Sequence, residues 1–308
     1  MVDSARRIVS LLSSATEILF ALGVGEQVVG IGHECDWPME ATTRPRVTHS
    51  WIDSRLPSDE IDRVVRARLA AGQPLYEVDA QRLVELSPDL IVTQAQCDVC
   101  AVRYEDVVSL VERTPALSKT QIVALQPATL AEILDDIERI GAAVGAVKAA
   151  ADFVDSLRVR IGRIATLTSS QPRPRVICIE WTEPLMLAAN WTPTLIELAG
   201  GESGLTVANQ HSTYAEWKAI VDYDPEVVLI SPCGFALLRS YQEAQRLLAL
   251  PKWHNLRAVR EGRVYLVDGN AYLNRSGPRI VDSLEIVAHL LHPDVCPNAW
   301  PDGWQRFA

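Results

Sequence analysis

The feature that most restricts what this chain can fold into is an alternation. Short apolar, β-branched runs recur between stretches with helical periodicity. The first set of runs is RIVSLL (7–12), VVGIG (28–32), LIVTQ (90–94) and IVALQ (122–126). A second set follows with VICIEW (176–181), VVLIS (227–231) and VYLVD (264–268). Helical segments lie between them, the clearest beginning at Thr129 with ATLAEILDDIERIGAAVG. Runs that alternate in this way predict parallel sheets covered by helices, an α/β architecture.

The two sets of strands are separated by a helix-compatible stretch with few breakers, from about Lys148 to Thr168, which ends in the proline-punctuated SSQPRPR (169–175). The expectation is therefore two Rossmann-like lobes, each with a parallel sheet, bridged by a single long α-helix. The N-terminal lobe spans 1–145, the bridging helix 146–169, and the C-terminal lobe with its tail 170–308. PSDEIDRVVRARLAAG (57–72) reads as a helical insertion in the first lobe, its PSDE start resembling an N-cap followed by acids. The opening RRIVSLLSSATEILFALGVG resembles a secretion signal only superficially: Ser10, Ser13, Ser14, Thr16 and Glu17 break the apolar stretch, and no small-residue cleavage site follows. It reads as a strand, a serine-rich turn and a helix from Ala15 to Leu22. The setting expected from this is cytoplasmic, or periplasmic if an upstream signal is missing. In the cytoplasm thiols stay reduced, so clustered cysteines favour metal or redox chemistry.

At 308 residues the chain is long enough for two lobes with their own cores. Its net charge of −10 repels phosphate backbones and makes nucleic acid a poor partner. No apolar run is long enough to span a bilayer. Neither a G-x-S-x-G elbow, a Walker A loop, a G-x-G-x-x-G turn nor an H-E-x-x-H helix occurs, which argues against a hydrolase.

In parallel α/β sheets ligands bind outside the carboxyl ends of the strands. GHECDWP (32–38) directly follows one predicted strand and QCDVC (96–100) another; EWTEP (180–184), SPCGF (231–235) and GNAYLNR (269–275) follow strands of the second set. These loops would line a cleft between lobes. Cys97 and Cys100 form a lone C-x-x-C, which can hold an ion, form a redox or disulfide pair, or simply pack. His33 and Cys35 could complete a Cys₃His set suited to zinc or another thiophilic ion, with Asp98 behind it. Glu34 is the acid best placed to touch a ligand, whereas Asp36 before Trp37-Pro38 reads as a turn cap. Trp37, Trp51, Trp181, Trp191 and Tyr272 are flat, amphipathic side chains suited to a large planar ligand, and Glu180 and Arg275 stand beside them. Trp253, Trp300 and Trp304 are expected to cover lobe edges. Glu183 and Arg279 read as rim ion pairs, Cys178 as a buried small hydrophobe, and Cys233 as a thiol facing the cleft. His49 reads as ligand or loop; His211, His254, His289 and His292 read as structural.

Taken in order, these segments resemble the cobalamin- and siderophore-type substrate-binding proteins of ABC importers. RIVSLLSSATEILFALGVGEQVVGIGHECDWP is similar to that family's first strand, helix and second strand. LVELSPDLIV (83–92) and IVDYDPEVVLI (220–230) resemble its paired helix–proline–acid–strand units, and LIELAGGESGL (195–205) its second-lobe helix and glycine turn. The likeness covers residues 7 to 290. It implies the class III periplasmic-binding-protein-like fold and a metal-containing guest, a cobalamin-like corrinoid or ferric chelate, clamped between lobes. It also implies an ABC permease as partner. Here, however, Gln81 and Lys218 stand where the family's docking glutamates are expected, with Glu85 and Glu216 nearby. The alternative is a metal- or thiol-dependent cytoplasmic enzyme using Cys35, Cys97 and Cys100.

Overall fold

A computed structural model describes residues 7–97, 99 and 101–308. Two compact units emerge. The first comprises residues up to Leu56, then Arg63–Pro127 and Ala131–Ser156; the second comprises Pro57–Asp62, Ala128–Leu130 and Leu157–Ala308. The boundary between the units falls inside the long helix Val147–Thr168, between Ser156 and Leu157.

The first unit contains strands β1 (Ile8–Ser10), β2 (Val28–Ile31), β3 (Thr48–Ser50), β4 (Tyr76–Val78), β5 (Leu90–Gln94) and β6 (Gln121–Leu125). Its main sheet runs β2-β1-β5-β6, every pairing parallel, as the apolar runs predict. The β5 strand is buried along its whole length because helices take up both faces. Val9, Leu11, Leu83, Ile91, Val107 and Leu117 form one core cluster against this sheet. The β3 and β4 segments form a separate antiparallel pair that sequence reading did not anticipate.

One boundary moved for a physical reason. The first helix runs Ser13–Ala21, so the serines lie inside its first turn rather than before it. Isolated serines favour turns, because their hydroxyls compete for backbone partners. Here tertiary partners absorb them: Ser13 Oγ donates to the Glu34 carbonyl at 2.9 Å, and Thr16 Oγ1 lies 2.8 Å from Ser10 Oγ.

The second unit contains β7 (Arg175–Thr182), β8 (Leu185–Leu187), β9 (Glu202–Ser203), β10 (Thr213–Tyr214), β11 (Val227–Ile230), β12 (Val264–Val267) and β13 (Trp304–Arg306). Its sheet runs β10-β8-β7-β11-β12-β13, with β9 beside β7. The β7-β11-β12 centre and the β7–β9 pair are parallel, but β8, β10 and β13 join antiparallel, so this sheet is mixed rather than purely parallel. Trp253, expected at an edge, is instead fully buried in the core with Ile179, Val228, Leu247 and Leu266. The aromatic surface of an indole outweighs its one polar atom, even though the Nε1–H of Trp253 finds no partner there.

Candidate ligand-contacting loops

In the first unit, GHECDWP leaves the carboxyl end of β2. Gly32 N donates to the Ser10 carbonyl at 2.7 Å and Cys35 N to the Gly32 carbonyl at 3.2 Å, so the loop curls back over β1. That curl turns Cys35 inward. Its side chain is fully buried, with Sγ 3.1 Å from Thr16 Oγ1. His33 is oriented by Thr48, whose Oγ1 accepts from the His33 amide at 2.8 Å and lies 2.7 Å from Nδ1. The imidazole stacks on Tyr76 with ring centroids 5.1 Å apart. Burial, with the neighbouring Arg46 guanidinium and His49 adding to it, lowers the His33 pKa to about 4, so the ring is neutral near pH 7.

Tyr76 is the residue that sequence reading missed. Its hydroxyl donates to the Val99 carbonyl at 2.7 Å, in the middle of QCDVC. One aromatic ring therefore ties together the two loops that the sequence singled out. The same loop is held from below by Gln94, a buried amide at the end of β5. Gln94 accepts from the backbone N–H groups of Gln96 and Cys97 at 2.7 and 2.8 Å and donates to the Cys97 carbonyl at 2.7 Å. A glutamine closing an otherwise apolar strand was the available signal: a buried amide needs several partners, and a loop directly after it supplies them.

The expected Cys₃His metal set is not assembled among the described residues: no three His, Cys, Asp or Glu side chains converge there to hold a metal ion. Cys35 is sealed in the interior, while Cys97 is partly exposed. Cys100 and Asp98 lie outside the described residues. Glu34 and Trp37 are both about half exposed, at 53% and 48%. Trp51 is exposed at 49%, with His49 against its edge at 4.6 Å and the Arg68 guanidinium over its face at 5.4 Å.

In the second unit, the β7–β8 register shifts between Ile179 and Trp181, at Glu180. Burial pushes its carboxyl pKa up, opposed by the hydroxyl that Ser212 donates to it. Trp181 is partly exposed, its ring 5.2 Å from Phe235 and its Nε1 donating to the Ser58 carbonyl at 3.3 Å. The loops after β11 and β12 lie against one another: Gly269 N donates to the Phe235 carbonyl at 2.9 Å and Gly234 N to the Gly269 carbonyl at 3.2 Å. A Cβ on Gly269 would stand 2.0 Å from the Pro232 carbonyl oxygen, so this approach needs glycine.

Trp191 departs from its expected ligand role. It is 6% exposed and its indole donates to the Leu273 carbonyl at 2.6 Å, which makes it part of the interior. Arg275 is also buried, donating to Asn270 Oδ1 at 2.9 Å. Tyr272 keeps one face toward Arg279, 5.8 Å away, and Glu183 pairs with Arg246 at 2.7 Å. Cys178 is buried in β7 as expected, and Cys233 is exposed after β11. His292 Nε2 and His289 Nδ1 donate to the Gly200 and Cys296 carbonyls at 3.3 and 2.9 Å, as structural contacts.

Residues 8–271 match the family model described as periplasmic binding protein, which is most of the chain. The chain belongs to the periplasmic binding protein family. Over 298 residues it is 24% identical to the vitamin B12-binding protein of Vibrio cholerae serotype O1, covering 93% of this chain and 89% of that one. It is 22% identical over 294 residues to the uncharacterized ABC transporter substrate-binding lipoprotein YvrC of Bacillus subtilis (strain 168), covering 94% and 81%. Among solved structures, a periplasmic heme binding protein from Pseudomonas aeruginosa superposes with a TM-score of 0.72 at 19% identity, covering 97% of this chain and 96% of that one. The fold is thus that of the periplasmic binding proteins, which bind rather than transform their substrates. The thiol-enzyme alternative finds no support.

Proposed function

We propose that this chain is the substrate-binding component of an ABC importer whose guest is a metal-containing small molecule, a cobalamin-like corrinoid or a ferric complex of comparable size. The observation that carries the reading is the exposure of two indoles, Trp37 and Trp51, on loops directly after β2 and β3. Half-exposed indoles on such loops offer a large planar guest a flat, amphipathic surface to stack against. The sequence likeness to a vitamin B12-binding protein and the structural likeness to a heme-binding protein support the same class. An extracytoplasmic setting goes with this reading, since the relatives are described as a lipoprotein and as periplasmic proteins; it replaces the cytoplasmic expectation. Among the described residues no helix is long and apolar enough to cross a membrane. Toward a permease, Gln81 donates to Glu85 and Lys218 pairs with Asp222, so the exposed Glu85 and Glu216 are the acids offered in place of the expected pair.

The test is a tryptophan-fluorescence titration with cobalamin and with ferric protoporphyrin. Saturable quenching by one of them, weakened in Trp37→Ala and Trp51→Ala, is the expected result. No saturable quenching by either compound would overturn the reading.

A further inference from the structure

Trp51 and the helix Ser58–Ala70 meet at one cationic side chain, Arg68. Trp51 is fixed at the mouth of the β3–β4 pair, where its amide donates to the Leu75 carbonyl at 2.9 Å and His49 packs against its ring edge. Arg68 reaches the same place from the last turn of the helix. Its Nε donates to the Pro74 carbonyl at 2.9 Å, next to Leu75 in the chain, and its guanidinium lies over the Trp51 ring at 5.4 Å. Both residues belong to the first unit. These contacts leave the two terminal nitrogens of Arg68 without an acid among the described residues. Arg55, also on the segment after β3, is by contrast neutralised by Asp53 through two bonds of 2.8 Å. A guanidinium held at Nε with its terminal pair free is a fork for a carboxylate or for two phosphate oxygens.

We infer that Arg68 binds an ionised group on the rim of the guest, a carboxylate or a phosphodiester, while the ring of the guest stacks on Trp51. The inference rests on the metal-containing guest proposed above. The guanidinium covers one face of the indole, and Trp51 is still 49% exposed for a second flat partner. A macrocycle is wider than an indole, so a flexible substituent on its rim can pass the edge of Trp51 and reach the guanidinium behind it. With a net charge of −10 the chain repels an anion at long range, so holding one needs a cation fixed at the contact. A guest lying over Trp51 also excludes water, which strengthens the ion pair beyond its worth on an open surface. The site therefore selects guests with an ionised rim over those whose rim is wholly amidated or esterified.

The experiment measures the affinity of the full chain by equilibrium dialysis for two matched pairs. One pair is ferric protoporphyrin and its diester, whose carboxylates are blocked; the other is cobalamin and cobinamide, which lacks the phosphodiester. In the wild type the anionic member of one pair is expected to bind about 10–100-fold tighter than its partner, and the preference should shrink as salt rises. Arg68→Gln should erase that preference by weakening only the anionic member. Arg68→Lys, which keeps the charge but loses the fork, should fall between the two. A preference within the porphyrin pair assigns Arg68 to a carboxylate, and one within the corrinoid pair assigns it to a phosphate. Unchanged binding of the member without the anion shows that Arg68→Gln is folded. If Arg68→Gln weakens both members of a pair alike, Arg68 only supports Trp51; if it weakens neither, or the wild type shows no preference, the fork is unused. Each of these results overturns the inference and leaves the functional reading standing. If the wild type binds none of the four compounds, the functional reading falls and this inference with it.

Discussion

Asp136 offers a quantitative test of the first unit. It lies on the helix Leu130–Ala143, is 2% exposed, and its Oδ2 has no hydrogen-bond partner. Burial raises its pKa from 3.8 to about 6, against the opposing pull of Arg139, whose guanidinium is 3.1 Å from Oδ1. An acid with a raised native pKa holds its proton more tightly folded than unfolded. Between pH 3.8 and about 6 the native state carries the extra proton, so its stabilising effect is present at low pH and lost as pH rises through that window. Two units at about 1.36 kcal/mol each set a ceiling of roughly 3 kcal/mol. Screening through the exposed Arg139 brings the expected effect to about 1–2 kcal/mol. Asp136→Asn resembles the protonated form. It should exceed the wild type in urea stability by that amount at about pH 7.5, and the gap should close by about pH 4. Comparing the two proteins at each pH cancels the other titrating acids. Equal stabilities at both pH values, or a gap that widens toward acid, would refute the assignment of burial as the cause.

Two further outcomes follow from the second unit. Gly269→Ala forces a Cβ against the Pro232 carbonyl and should destabilise the protein by about 1–3 kcal/mol in thermal or urea unfolding; an unchanged transition would mean that the loops after β11 and β12 are not held this closely. In native protein Cys233 should react with a thiol reagent, whereas Cys178 and Cys296 should react only after unfolding, which peptide mapping of the labelled sites would check.

The strands were legible because their signal is local. LIVTQ at 90–94 carries its own burial pattern, and β5 coincides with it. The β3 and β4 segments, THS and YEV, have no apolar run and exist only because they pair with each other, so no window of sequence reveals them. Tyr76 was hidden with them, and with it the link between the two loops that had drawn attention. The thiols show the same limit from the other side. Both Cys35 and Cys97 follow predicted strands, but only the backbone bonds from Gly32 and Cys35 decide that one loop curls its thiol under Thr16.

Residue type states which chemistry a side chain can perform, but backbone events set where it points. From residue type alone Trp191 and Trp181 read alike, as flat side chains suited to a planar ligand. Trp191, however, is the N-cap of the helix Thr192–Leu198, which carries its ring inward to the Leu273 carbonyl, while Trp181 remains on β7, partly exposed. Strict alternation would place Cys178 and Glu180, two residues apart, on the same face of β7. The register shifts between Ile179 and Trp181, and the strand carries both a thiol in its core and an acid that accepts from the Ser212 hydroxyl. The two still sense each other: burial first, and then the Glu180 charge, push the Cys178 pKa upward and keep that thiol inert.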